Sequence, residues 1–326
     1  MSENTITLLK TRFDSHVSAN TIKEFEEAIT NNIHCAEVFQ QPFRKLFRTI
    51  YRLSDRFVFF RKISDLLFSL VTVNKNYFII QMGMSQIRKA YPYFLFTAKS
   101  KSIYLFDCWP KDFERTEYLI KRLNIKIIFF AAKQSAEYFQ KRFNDRKCIW
   151  LPEAIKADYY LAFPYEKKDI DIIQIGRRYD FYHNSIVDFC EQEKINYLYE
   201  KVKGEIIFPN QNDFYNGLAR SKISICFPSS ITNPERSGNV STMTVRYLQS
   251  MVSKCLIVGS LPDDMKELFD YNPIIEADLN NPTQQLKEIL SNYKNYLALI
   301  EKNYNEVISK HQWINRIEIL KKELPN

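Results

Sequence analysis

Glycine is scarce in this chain of 326 residues: there are only 6, widely separated at Gly83, Gly176, Gly204, Gly217, Gly238 and Gly259. That spacing excludes the G-x-G-x-x-G dinucleotide fingerprint and the G-x-x-x-x-G-K phosphate loop, which both need clustered glycines where the backbone approaches phosphate. Histidine (4) and cysteine (6) are equally sparse, and Cys35, Cys108, Cys148, Cys190, Cys226 and Cys255 form no C-x-x-C pair. The zinc patterns therefore fall away, and the cysteines read as reduced core thiols. Asp65 and Lys99 interrupt the longest apolar runs before the roughly 18 residues of a membrane span, and the first residues lack a basic-then-apolar signal pattern. The expectation is a cytoplasmic protein.

Positive charge and aromatics are plentiful, with a net charge of +8, 25 Phe and 20 Tyr. The charge suits nucleic acid, an anionic membrane surface or a phosphorylated small ligand. No nucleic-acid motif or basic-aromatic sheet pattern accompanies it. The basic residues concentrate in residues 41–62, where Phe43, Leu46, Phe47, Ile50 and Leu53 follow a helical stripe flanked by Arg44, Lys45, Arg48 and Arg52. That pattern predicts a basic amphipathic helix, either an ordinary domain helix or a contact on the inner face of a membrane.

Short apolar runs at residues 5–9, 33–38, 77–81, 102–106, 126–130 and 148–151 alternate with helical stretches, and the alternation resumes at 171–175 and 196–199. This argues for parallel sheets covered on both faces. Pro152, Pro164 and the charges up to Lys168 mark a boundary, giving domains at 1–155 and 156–311 and a closing segment at 312–326.

Residues 227–264 join two such runs, 223–227 and 255–258, through a polar loop and a helix bearing Val245, Leu248 and Val252. With Ser241 or Thr242 as cap, the helix start at Ser241, Thr242, Met243 and Thr244 presents backbone N–H groups and a positive dipole end, and Arg246 adds a charged fork. A phosphate suits that place. Asp171 to Gly176 is another buried strand, opening into Arg177 and Arg178 at the sheet edge where α/β proteins hold ligands.

The second half resembles the donor-binding core of GT-B glycosyltransferases of the group 1 (family 4-like) kind. The matching pieces are Phe227-Pro228-Ser229, the run from Val245 to Met251, and Lys254-Cys255-Leu256-Ile257-Val258-Gly259. The resemblance implies an α/β GT-B fold, with two Rossmann-like domains facing across a cleft and a C-terminal helix returning to the first. It implies transfer from a nucleotide-diphosphate sugar to a glycan or lipid-linked acceptor in cell-surface polysaccharide assembly, without metal or further cofactor. Arg177 takes the position that neutralises the donor diphosphate, with Arg178 and Arg246 replacing a lysine the family carries nearby. Phe208 and Pro209 fall where the family packs its loop on the base. Ser241 and Gln249 stand where the family has paired glutamates, and Gln249 retains the capacity to bond a ribose hydroxyl.

For acceptor chemistry, Asp107 follows the run 102–106 and lies at the carboxyl edge of the first sheet, a position for a general base. His16, after the first strand, is a second candidate for the same cleft, and Glu235 can stand in for a missing glutamate. Asp169-Ile170-Asp171 spells the D-x-D string of metal-dependent transferases but precedes its strand, so its carboxylates do not converge at the ligand edge. A sugar-nucleotide epimerase or hydrolase and a non-catalytic nucleotide-sugar-binding subunit are the alternatives.

Overall fold

The computed structural model describes residues 5–10, 20–39, 44–91, 93–202 and 206–325. They form two compact units, the first running to Pro152 and including the residues from Arg316 onward, the second spanning Glu153–Asn315.

In the first unit, β1 (Ile6–Lys10), β2 (Cys35–Phe39), β3 (Thr72–Gln81), β4 (Thr97–Leu105), β5 (Ile127–Phe130) and β6 (Lys147–Trp150) form a parallel sheet in the order β2-β1-β3-β4-β5-β6. Its helices are α1 (Asn20–Asn32), α2 (Arg44–Arg56), α3 (Val58–Ser69), α4 (Phe113–Arg122) and α5 (Lys133–Gln140). The basic stretch is thus two helices. Phe57 is extended, with φ −118° and ψ 112°, and breaks the run. The helical stretch around Ile87 is a 3-10 turn, Met84–Lys89.

The second unit has β7 (Ile170–Gln174), β8 (Tyr197–Tyr199), β9 (Ser221–Cys226), β10 (Leu256–Gly259) and β11 (Ile275–Glu276), all parallel, in the order β11-β10-β9-β7-β8. Around them lie α6 (Asp180–Gln192), α7 (Gln211–Ala219), α8 (Ser229–Thr232), α9 (Pro234–Ser237), α10 (Val245–Val252), α11 (Met265–Leu268), α12 (Pro282–Ser291) and α13 (Leu297–Lys310). The last helix, α14 (Trp313–Glu323), begins in this unit and continues into the first. There Arg316 donates to the Pro152 carbonyl at 3.1 Å, and Glu323 pairs with Lys147 at 2.8 Å.

In the second unit the inner strands β7, β9 and β10 are buried on both faces because helices cover each side. Ile172, Leu256 and Val258 pack with Tyr182 and Ile186 of α6 and Leu286 of α12, whereas Ile173 and Ile257 pack with Phe214 of α7 and Leu248 and Met251 of α10. All six thiols are unpaired, and only Cys35 is more than slightly exposed.

Candidate nucleotide site in the second unit

Strand β7 has β8 on one side and β9 on the other, so the chain leaves its carboxyl end beside a strand that returns only after an intervening β8 and α7. This is the topological switch point, where the loops after the strands diverge and leave a crevice. Gly176 makes the turn out of β7 with φ +75°, a conformation side chains with a Cβ rarely adopt. The next residue, Arg177, donates from Nη1 to Ser229 Oγ at 2.5 Å, joining the β7 loop to α8. Arg178 donates to Asp180 at 2.7 Å and to the Glu200 carbonyl at 3.3 Å, joining it to the loop after β8.

Between these loops lies a cavity of about 650 Å³, lined by Gln174, Gly176, Arg177, Tyr199, Lys201 and Thr232 among others. Its size suits a small-molecule ligand of some hundreds of cubic ångströms. Arg177, Arg178 and Lys201 give its wall positive charge against Asp180 and Glu200. Behind the wall, Tyr197 donates to Gln174 Oε1 at 2.6 Å and lies 2.9 Å from His183 Nδ1. Burial, aided by Arg178, lowers the His183 pKa, and because the Tyr197 hydroxyl donates to Gln174, His183 Nδ1 is left to donate to the tyrosine.

No protein-family model and no curated protein matches the sequence. Solved structures do match over nearly all of its length. Anabaena HepE in complex with UDP-glucose superposes with a TM-score of 0.57 at 9% identity, covering 98% of this chain and 100% of that one. Sucrose-phosphate synthase from Thermosynechococcus elongatus gives 0.56 at 10%, covering 98% and 97%, and a glycosyltransferase from Rickettsia africae gives 0.54 at 10%, covering 99% and 98%. The chain has the GT-B fold.

Within this GT-B chain several residues singled out by sequence have other duties. Arg246 is a brace. Its Nη1 donates to the carbonyls of Ile175 at 3.0 Å and Arg177 at 3.1 Å, and its Nη2 to that of Phe227 at 3.3 Å, so it ties the β7 and β9 loops together from beneath. A Cβ at Gly176 would stand 3.4 Å from Arg246 Cδ, which shows how closely the turn rests on this side chain.

The start of α10 is also different from the expectation. The helix begins at Val245, with Thr244 as its N-cap, and its terminus is met by two carboxylates of the protein instead of lying open to phosphate. Glu153 accepts from the Val245 amide at 2.7 Å. Asp264 accepts from the Met243 amide at 2.6 Å and the Thr242 hydroxyl at 2.5 Å, while Ser241 Oγ accepts from the Asp263 amide at 3.2 Å. Both carboxylates satisfy backbone donors at the positive end of the helix, where a phosphate would meet like charge. At Ser241 to Thr244 the structure thus has a carboxylate cap where the sequence suggested an anion cradle.

Asp264 carries a pH signature. Burial pushes its carboxyl up to about 6, against the opposing pull of the bonds from Thr242 and Met243. With the folded pKa above the unfolded value, the stabilisation is fully present below about pH 4 and is lost as pH rises through about 6. Relative to Asp264→Asn, the wild-type protein should lose about 2–3 kcal/mol of stability across that window in urea unfolding. A pH-independent difference between the two would contradict the buried-carboxylate account.

Gln249 donates to the Tyr160 hydroxyl at 2.9 Å. Phe208 lies across Gly217, where a Cβ would overlap its ring, and packs edge-on to Phe214; Pro209 beside it is exposed. Residues 206–210 around them are irregular chain. Glu235 is exposed on α9 with the Asn233 amide at its carboxylate. Asp169 forms a two-pronged pair with Arg220 at 2.7 and 2.5 Å, and Asp171 pairs with Lys222 at 2.7 Å, both at the start of β7, away from the ligand edge.

In the first unit Asp107 follows β4 and is half-buried. Its amide donates to the Met82 carbonyl at 2.5 Å, and its own carbonyl lies against Gly83. His16 lies outside the described residues. Sequence reasoning missed Glu153, Asp264, Tyr199 and Lys201. Only Glu153, next to Pro152 at the domain boundary, offered a local signal.

Proposed function

We propose that the chain is a glycosyltransferase that takes its sugar from a nucleoside-diphosphate donor held in the second-unit cavity. The observation that carries this reading is the convergence of Arg177, Arg178 and Lys201 on a cavity at the switch point of a parallel sheet. The GT-B fold supports it, since the similar HepE was crystallised with UDP-glucose. In the reaction, an acceptor hydroxyl oxygen bonds to the sugar's anomeric carbon, the bond to the diphosphate breaks, and the nucleoside diphosphate leaves with the electron pair. Arginines fixed before the reaction stabilise the charge that develops on the leaving oxygen without reorganising at that moment. Asp107 is proposed to receive or orient the acceptor proton, with Glu235 and His16 as further candidates. The acceptor is proposed to be a glycan or a lipid-linked glycan of cell-surface polysaccharide assembly.

The test is nucleoside-diphosphate release from a panel of nucleotide sugars, with and without EDTA. Release that survives chelation is the expected result, because cationic side chains take the leaving-group role an ion plays elsewhere. Absence of release from every donor would overturn the enzymatic reading. Loss on chelation, restored by Mn²⁺, would return Asp169 and Asp171 to consideration.

A further inference from the structure

The first unit exposes an apolar helix face that its core does not use. Along α3, Phe59, Ile63, Leu66, Leu67 and Leu70 share one side, with exposures of 77, 40, 63, 60 and 73%. Phe57 and Val58, at 48 and 55%, extend this face to the start of the helix. A contiguous apolar area of this kind marks an interaction surface.

The exposure is held in place by the other contacts of the same helix pair. Arg122, itself only 8% exposed, grips Asp65 of α3 through two bonds of 2.8 and 2.6 Å. Arg115 reaches back to α2, donating to the Tyr51 hydroxyl at 2.9 Å and Asp55 at 3.1 Å. Between the helices, the hydroxyls of Ser54 and Ser64 are buried together at 3.0 Å. With these anchors, the apolar stripe of α3 cannot turn inward without breaking a shielded ion pair.

Along α2 lies a second cavity, of about 340 Å³, in which Arg48, Arg52, Arg56, Arg88 and Arg115 surround Tyr51. Asp55 is the one acidic residue among the described residues of its wall. Arg56 sits 5.4 Å over the ring of Phe57, so the cavity and the apolar face meet at the break between the two helices. Guanidinium groups in this number fit phosphate oxygens. The combination of a basic cavity with an apolar stripe is the pattern of a helix lying in a lipid interface. With 12 residues, α3 is too short to cross a bilayer, and no described helix is long and apolar enough to do so.

We infer that the α2–α3 pair docks on an anionic lipid surface, with the apolar face of α3 in the acyl boundary and the arginine-lined cavity on lipid phosphates. The charge argues for lipid over a second copy of this chain, because two such faces in contact would bring their arginine clusters together. The inference stands apart from the transfer reaction and survives its failure.

The test is flotation of the full chain with phosphatidylcholine vesicles, with and without phosphatidylglycerol, at low and high salt. Binding should require the anionic lipid and weaken with salt. Arg48→Glu/Arg52→Glu should cut it by about 20-fold or more, since each surface cation contributes about 5-fold. Phe59→Asp/Leu66→Asp should abolish it, and both variants alter exposed side chains, so their melting curves should match wild type. Equal binding to neutral and anionic vesicles, no binding at low salt, or variants that bind like wild type would each overturn the inference. So would a wild-type dimer that Phe59→Asp/Leu66→Asp dissociates without any vesicle binding.

Discussion

Asp107→Asn is expected to lower transfer turnover by roughly 10²- to 10⁴-fold while leaving donor affinity unchanged. The substitution keeps the shape of the side chain and removes its ability to accept a proton. Its backbone is held by the Met82 carbonyl and by close contact with Gly83, so the loop after β4 should keep its path. The proposed donor cavity belongs to the second unit, and none of its described lining residues comes from this loop. A base acting on the acceptor therefore separates from binding of the donor, and the two readouts should diverge. Direct displacement demands such a base, whereas a mechanism that retains anomeric configuration would ask Asp107 only to orient the acceptor. Near-wild-type turnover at saturating substrates would remove Asp107 as the base and leave Glu235 and His16.

The sheets were legible in the sequence because parallel strands buried on both faces read as short apolar runs, as Ile172-Ile173 and Leu256-Ile257-Val258 show. The position of Arg177 and Arg178 was legible for a related reason: a buried strand that ends in glycine and cations carries those cations at its carboxyl edge. The break at Phe57 was not. Apolar spacing continues through it, and the outward stripe of α3 violates the inside-out rule on which such readings rest. Arg246 was placed correctly on the first turn of α10, but helical position does not say which carbonyls a long side chain will reach. The carboxylate cap was further out of reach. Glu153 lies 92 residues from the amide it caps and Asp264 lies 21 from its own, so only the tertiary fold brings them to the helix.

Arg177→Ala should weaken nucleoside-diphosphate binding by roughly 10- to 150-fold, the equivalent of one charge-assisted hydrogen bond of about 1.5–3 kcal/mol. Its guanidinium is the one that reaches across the switch point, and its bond to Ser229 positions it there in advance. Arg246→Ala should differ in kind. Losing that brace removes the Arg246 bonds to the carbonyls of Ile175, Arg177 and Phe227, so reduced affinity should come with a lower melting temperature. Titration calorimetry of uridine diphosphate against the wild-type protein and Arg177→Ala, each with a melting curve, tests the donor-site assignment most directly. The account predicts saturable single-site binding to wild type and at least a roughly tenfold loss in a variant that melts at the same temperature. Equal affinity in the two proteins, or no binding to wild type, would contradict it.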